Sequence, residues 1–155
     1  MPHAPSDTLL WSLRQLRLLY IGSDLPLMHS LRQLFPKPKY HVVTCPDRDS
    51  AERFIKSEIQ YDLFIFDHDT RDRAAFDLTR LIRSLSHRQN LPVIVVGSEL
   101  ENSLKDFTDA AGGNAYVMKA DTFAAVHKMV GRLLAASSSS NSKESGTASR
   151  PGKGS

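Results

Sequence analysis

The stretch YDLFIFDHDT, residues 61–70, decides the fold class of this chain. Its four apolar residues Leu63 to Phe66 run without interruption and end at Asp67, where an acidic segment begins. A short unbroken apolar run is typical of a β-strand that is buried on both faces, as the strands of a parallel sheet are. In open α/β sheets the functional crevice lies beyond the carboxyl ends of the strands. The stretch therefore predicts a central parallel strand that delivers Asp67 to a candidate site.

The rest of the chain repeats this alternation between short apolar runs and amphipathic segments. Further strands are predicted at Leu18–Ile21, His41–Cys45, Pro92–Val96 and Ala115–Met118. Apolar side chains at helical spacing predict one helix after each strand. These helices begin near Pro26, Asp49, Ala74, Asn102 and Thr122, and Asp49 or Ser50 is predicted to cap the second of them. Five strands alternating with helices through short connections predict an α/β fold, a doubly wound (βα)5 parallel sheet of the flavodoxin-like class with strand order 2-1-3-4-5.

The two ends of the chain differ from this central part. Residues 1–16 are predicted to form an N-terminal extension, in which Leu9–Leu16 has helical spacing and either packs on the domain or binds a partner. The folded domain is predicted to cover residues 17–136. Residues 137–155 are rich in serine and contain no apolar side chain larger than alanine, so they are predicted to be a disordered tail.

Charge and composition argue against several classes of function. The net charge is +3, and the tail contributes +2 of it, so the body is too weakly basic to indicate nucleic-acid binding. The single cysteine, Cys45, permits no intramolecular disulfide and favours a reducing compartment. No apolar run approaches the roughly 20 residues that span a bilayer, and the N-terminus lacks a secretion signal pattern. We therefore expect a cytoplasmic protein that binds neither nucleic acid nor membrane.

Polar residues follow four of the five predicted strands. They are Gly22-Ser23-Asp24, Asp67-His68-Asp69, Gly97-Ser98 and Lys119. Strands 1 and 3 are neighbours in the predicted order, so Asp24 and Asp67 are expected to face one cleft, with Lys119 across from them.

The order and spacing of these pieces resemble the receiver domains of two-component response regulators. The resemblance covers about Arg17 to Ala135 and rests on three motifs: DLFIFD ending in Asp67, PVIVVGS in the fourth strand, and DAAGGNAYVMKA with Lys119 after the fifth. The family transfers a phosphoryl group from phosphohistidine to an aspartate. Mg²⁺ is held by that aspartate and by an acidic pair after the first strand, and a lysine pairs with the phosphoryl oxygens. A hydroxyl residue after the fourth strand and an aromatic residue on the fifth respond to the modification.

Carried onto this sequence, the resemblance implies distinct roles for six residues. Asp67 is the phosphoacceptor, Lys119 its charge partner, Ser98 and Tyr116 the switch candidates, and Asp24, Asp67 and Asp69 the candidate Mg²⁺ ligands. Two features of the family pattern are absent. Gly22 and Ser23 replace the acidic pair, which argues against Mg²⁺, and Gly97 replaces the hydroxyl residue. Asp24 can alternatively cap the helix that follows it, and Lys119 can simply neutralise Asp67.

Two functions stay open at this stage. The first is an atypical receiver, or pseudo-receiver, that acts through protein contacts without a phosphorylation switch. The second is a working receiver that is phosphorylated on Asp67 by a histidine kinase or phosphotransfer protein with Mg²⁺. In both cases we expect no enzyme, and the resemblance implies that a kinase, phosphotransfer protein or effector docks on about Asn102–Ala135. A nucleotide-binding enzyme is disfavoured because Gly22-Ser23-Asp24 is too short for a Gly-rich phosphate loop.

Overall fold

The structure, a computed structural model, describes residues 15–99, 102–121, 125–133 and 135. Three of the segments predicted above fall wholly or partly elsewhere. Nearly all of the helical segment Leu9–Leu16, the start of the last helix near Thr122 and the tail 137–155 lie outside the described residues.

Five parallel strands form one sheet in the order β2-β1-β3-β4-β5. The strands are β1 Leu16–Ile21, β2 Tyr40–Cys45, β3 Leu63–Asp67, β4 Val93–Gly97 and β5 Ala115–Met118. The connecting helices are α1 Leu25–Leu34, α2 Arg48–Lys56, α3 Ala75–Ser84 and α4 Asn102–Ala111. A 3₁₀ turn, Lys119–Asp121, follows β5, and helix α5 includes the described residues 125–133 and 135. The predicted fold class and strand order are confirmed.

The core consists of two apolar layers, one on each face of the sheet. Every residue of β3 and β4 is buried, as the unbroken apolar runs predicted. Successive side chains of a strand point to opposite faces, so each strand contributes to both layers. The layer beneath α2 and α3 includes Leu19, Phe64, Phe66, Leu78 and Ile82. The layer beneath α1 and α5 includes Leu18, Leu31, Ile65, Val96 and Val126.

Several element boundaries differ from the sequence predictions. Strand β2 begins at Tyr40 and not at His41, and β4 is Val93–Gly97 and not Pro92–Val96. Strand β1 begins at Leu16, which was assigned to the helical N-terminal segment, because the Leu16 amide donates to the Lys39 carbonyl at 2.8 Å and extends the ladder with β2. Helix α2 is capped by Asp47 and not by Asp49 or Ser50, since the Asp47 carboxylate accepts from the Ser50 amide at 2.9 Å. The described ranges contain no helix long and apolar enough to cross a membrane.

A buried arginine, Arg88, fastens helix α2 to the segment after α3. Its side chain is 2% exposed. The guanidinium donates to the carbonyls of Ile55 at 3.0 Å and Ser57 at 2.8 Å, and it lies 5.2 Å from the centre of the Tyr61 ring. A positive donor at the carbonyl end of a helix satisfies orphan acceptors and complements the helix dipole.

We expect Arg88→Ala to lower the free energy of unfolding by about 2–4 kcal/mol, because it removes the guanidinium donor from the buried Ile55 carbonyl. Urea unfolding followed by circular dichroism measures this change. Arg71, which is exposed, provides the matched control, and Arg71→Ala should stay within about 0.5 kcal/mol of the parent chain. Equal effects of the two substitutions would show that the hydrogen bonds of Arg88 do not stabilise the fold.

Candidate functional site

Asp67 is the last residue of β3 and lies buried at the carboxyl edge of the sheet. Its exposed fraction is 3%. Oδ1 accepts from the Asp69 amide at 2.8 Å, while Oδ2 accepts from the Tyr20 hydroxyl at 2.6 Å and from Lys119 Nζ at 2.9 Å. Both carboxylate oxygens are therefore engaged by the protein itself.

The Lys119 ammonium lies among three carboxylates. Nζ is 2.9 Å from Asp24 Oδ2, 2.9 Å from Asp67 Oδ2 and 3.1 Å from Asp69 Oδ2. An ammonium has three protons to donate, and here each has a carboxylate to accept it. The structure thus brings together four of the predicted site residues, Asp24, Asp67, Asp69 and Lys119, which we call the aspartate–lysine cluster.

Ion pairs within the aspartate–lysine cluster keep Asp24, Asp69 and Lys119 charged. Burial by itself would raise the pKa of Asp24 and of Asp69, but hydrogen bonds and attraction from Lys119 outweigh it and hold both pKa values below their usual range. Burial would likewise lower the pKa of Lys119, yet hydrogen bonds to the three carboxylates raise that pKa above the ordinary lysine value. At neutral pH these three groups are therefore ionised.

Asp24 caps a helix, which was one of the two roles that the sequence left open for it, and it pairs with Lys119 where the resemblance implied a magnesium ligand. Its Oδ1 accepts from the Leu27 amide at 3.0 Å and caps helix α1, in which Pro26 occupies the first turn. Its Oδ2 pairs with Lys119. One carboxylate thus ties the start of α1 to the lysine after β5.

Sequence reasoning missed Tyr20, which lies fully buried in β1. Its hydroxyl donates to Asp67 Oδ2 at 2.6 Å and accepts from the Asp24 amide at 3.3 Å. Burial, and then the hydrogen bond to Asp67, raise the pKa of Tyr20, so the phenol remains a neutral donor. The available signal was a tyrosine in an otherwise aliphatic strand, two residues before Gly22 and hence on the same strand face.

The Tyr20 ring explains why Gly22 replaces an acidic residue. A Cβ placed on Gly22 would overlap the Tyr20 hydroxyl and would lie 2.7 Å both from Tyr20 Cζ and from Asp67 Cβ. These separations are far below ordinary carbon–carbon contact of about 3.5–4.0 Å. In this arrangement no side chain, and therefore no carboxylate, fits at Gly22.

Gly97 and Tyr116 repeat this relation at the end of β4. A Cβ on Gly97 would overlap the Tyr116 hydroxyl and lie 3.1 Å from Tyr116 Cζ. The hydroxyl donates to the Glu99 carbonyl at 2.8 Å. Ser98 is exposed, and its amide donates to Asp69 Oδ2 at 3.0 Å. The two switch candidates are therefore placed differently: Ser98 borders the aspartate–lysine cluster, whereas Tyr116 packs over Gly97.

The resemblance implies a magnesium ion, but the residues present do not fit one. Mg²⁺ requires oxygen ligands in near-octahedral geometry at about 2.0–2.1 Å. The Lys119 ammonium already lies between the three carboxylates, and Asp24 Oδ1 is held by the Leu27 amide. Among the residues that the structure describes, no group of three or more histidine, cysteine, aspartate or glutamate side chains is arranged to hold a metal ion.

The cluster borders a small polar cleft of about 220 Å³. It is lined by Ser23, Asp24, Asp67, Asp69, Thr70 and Lys119. Thr70 was not predicted as a site residue, and its hydroxyl donates to Asp72 at 3.0 Å. Three negative charges against one positive charge make this cleft attractive to cations and repellent to anions.

We expect the free energy of unfolding to fall at both ends of the pH range. The depressed pKa values of Asp24 and Asp69 give stability above the unfolded value of about 3.9, which is lost as the pH falls through their folded values. The raised pKa values of Lys119 and Tyr20 give stability below about pH 10, which is lost as the pH rises toward their folded values. Urea unfolding between about pH 3 and 11 measures both limbs.

Tyr20→Phe tests the phenol's share of the alkaline limb. It should cost about 1–3 kcal/mol at neutral pH, because the Asp67 carboxylate loses a buried donor. It should also make the alkaline loss less steep, since the contribution of the raised Tyr20 pKa is gone. An alkaline limb identical to that of the parent chain would rule out the Tyr20 contribution.

Gly97→Ala should displace the Tyr116 ring, because the added methyl group occupies the space of its hydroxyl. The expected result is a shift of the Tyr116 ring resonances in NMR spectra, assigned with the help of Tyr116→Phe. Gly131→Ala is the matched control, since a Cβ at Gly131 has nothing within 4 Å. Unchanged Tyr116 resonances in Gly97→Ala would show that the two residues do not compete for space.

Comparison by sequence gives no relative: no protein-family model matches the chain, and no curated protein sequence matches it. Solved structures do match. A CheY-like response regulator receiver domain from Methanospirillum hungatei has a TM-score of 0.72 at 20% identity, covering 82% of this chain and 99% of that one. A response regulator from Thermotoga maritima has a TM-score of 0.67 at 16% identity, covering 79% and 99%.

A third similar structure is the receiver domain of a sensor histidine kinase from Pseudomonas aeruginosa, which has a magnesium ion coordinated in its active site cleft. Its TM-score is 0.66 at 20% identity, and the match covers 79% of this chain and 99% of that one. These likenesses, found at low identity, establish the fold. This chain has the fold of response regulator receiver domains, as its motifs predicted.

Proposed function

We propose that this chain is an atypical receiver-like domain of a two-component system, and that it acts through protein contacts rather than through phosphorylation of Asp67. On this proposal it is a cytoplasmic binding protein and not an enzyme. The observation that supports the proposal most directly is that the Asp67 carboxylate is buried and already hydrogen-bonded. Both of its oxygens accept hydrogen bonds from the protein, and the residue is 3% exposed.

The charge of the cleft supports the same conclusion. Phosphoryl transfer places negative charge on the oxygens around phosphorus, and catalysis depends on positive groups that neutralise it. Here the ammonium of Lys119 is shared by three carboxylates, so the aspartate–lysine cluster carries an excess of two negative charges. Asp24 and Asp69 would repel an arriving phosphoryl group, while Lys119 is already committed. A metal ion such as the one in the Pseudomonas receiver domain would have to displace Lys119.

The proposed docking surface is the face formed by about Asn102–Ala135, as far as the structure describes it. Two contacts hold Tyr116 in place within this face. The Tyr116 hydroxyl is bonded to the Glu99 carbonyl, and the ring fills the space over Gly97. The exposed Phe107 of α4, which contacts Phe76, adds an apolar side chain to the same region. We propose that a histidine kinase, a phosphotransfer protein or a downstream effector recognises this face in a single, unswitched state.

One observation favours a second function, a working receiver that is phosphorylated on Asp67 by a histidine kinase or phosphotransfer protein with Mg²⁺. Lys119 lies 2.9 Å from Asp67, and a cleft of about 220 Å³ opens beside them. This alternative requires Lys119 to leave Asp24 and Asp69, and requires Tyr20 to release the Asp67 oxygen that it holds.

The two functions differ in their response to small phosphoryl donors. We expect acetyl phosphate with MgCl₂ to leave the intact mass of the protein unchanged, and beryllofluoride with MgCl₂ to leave its amide chemical shifts unchanged. The reason is that Asp67 offers no free oxygen and the cleft is negatively charged. A receiver domain that reacts with these reagents, treated in parallel, is the positive control. A magnesium-dependent adduct on the parent chain that disappears in Asp67→Asn would establish the second function instead.

A further inference from the structure

We propose that the Lys119 ammonium is the resident cation of this cleft, so that divalent-metal binding and the native aspartate–lysine cluster exclude each other. The inference rests on the proposed function and deepens it, because it names the group that makes the cleft independent of metal. It follows from the disagreement between the magnesium ion that the fold implies and the residues that this chain provides.

Lys119 places its ammonium at the centre of three carboxylates. Nζ lies 2.9–3.1 Å from one oxygen of each of three aspartates, and the lysine side chain is 18% exposed. The three carboxylates thus converge on one point, and a positive charge belonging to the chain occupies that point. No arriving cation can bind to the same three oxygens without displacing the ammonium.

The three carboxylates are also held in place by hydrogen bonds that do not involve Lys119. The Leu27 amide holds Asp24, the Ser98 amide holds Asp69, and the Asp69 amide holds Asp67. The Tyr20 hydroxyl adds a second bond to Asp67. Loss of the ammonium should therefore leave the three carboxylates facing one another without a counter-charge.

Without the Lys119 ammonium, the three carboxylates would have no counter-charge within the cluster. Facing carboxylates repel one another and are stabilised by any cation that reaches them. Hard divalent ions prefer carboxylate oxygens, Mg²⁺ at about 2.0–2.1 Å and Ca²⁺ at about 2.3–2.6 Å in more flexible geometry. Because Asp24 and Asp69 lie beyond the strand ends, the short inward movement that these ions need falls on loop residues. Removal of the lysine charge should therefore convert a metal-independent cleft into a metal-dependent one.

Lys119→Met tests this inference, because methionine keeps most of the side-chain length and removes the charge. Thermal unfolding at pH 7.5 is compared in EDTA, in 10 mM MgCl₂ and in 10 mM CaCl₂. We expect the parent chain to have the same Tm in all three solutions. Lys119→Met should unfold about 5–10 °C lower in EDTA and recover at least half of that loss with one of the two ions. Lys105→Met, at an exposed position on α4, should match the parent chain throughout.

Each outcome decides the question. A parent chain whose Tm rises with Mg²⁺ or Ca²⁺ overturns the inference, and so does a Lys119→Met variant that is as stable as Lys105→Met or indifferent to both ions. If Lys119→Met is unfolded in EDTA, its far-ultraviolet circular dichroism is followed as CaCl₂ or MgCl₂ is added. Folding on addition of the ion supports the inference, and its absence refutes it. No phosphoryl donor is present, so this result is independent of whether Asp67 can be phosphorylated.

Discussion

A carboxylate buried at the end of the central strand must be compensated, and the arrangement of the cleft follows from how this chain does so. An uncompensated buried charge costs several kcal/mol. Asp67 receives one backbone amide, one phenol and one ammonium. The phenol of Tyr20 needs space above β1, and that space exists because Gly22 has no side chain. Stabilisation of the Asp67 carboxylate therefore accounts for the ring of Tyr20 and for the glycine at position 22.

The same relation between a glycine and a tyrosine occurs twice, which makes the two departures from the receiver pattern a related pair. Tyr20 fills the space over Gly22, and Tyr116 fills the space over Gly97. In each case the ring ends in a hydroxyl with a defined acceptor, Asp67 Oδ2 for one and the Glu99 carbonyl for the other. At the two positions where the receiver pattern has an acid and a hydroxyl residue, this chain instead has a glycine covered by a tyrosine ring. Tyr20 lies two residues before Gly22 in the chain, and Tyr116 lies on the strand next to that of Gly97.

The fold was predictable from the sequence because hydrophobic periodicity responds to burial, and burial dominates here. The five residues of β3 are all buried, and strand order follows from the class of fold that such strands form. The convergence of Asp24, Asp67 and Lys119 was anticipated because parallel strands end at one edge. Tyr20 was missed because the reach of a ring from β1 to β3 depends on distances across the sheet. The cap at Asp47 was missed because Asp47, Asp49 and Ser50 are equally suitable by residue type, and only backbone conformation selects among them.

A switch that depends on a bound ion or a phosphoryl group needs two states with different affinities for that ligand. In the proposed function the cation belongs to the chain, so its local concentration does not vary with conditions. Lys119 is bonded to residues after β1 and β3 and is itself attached to β5, so it joins three strand ends in one arrangement. Tyr116, three residues before Lys119, is held by a separate hydrogen bond to the Glu99 carbonyl. On the proposed function, a surface supported in this way would convey information by which partner it binds and not by a change in its own state.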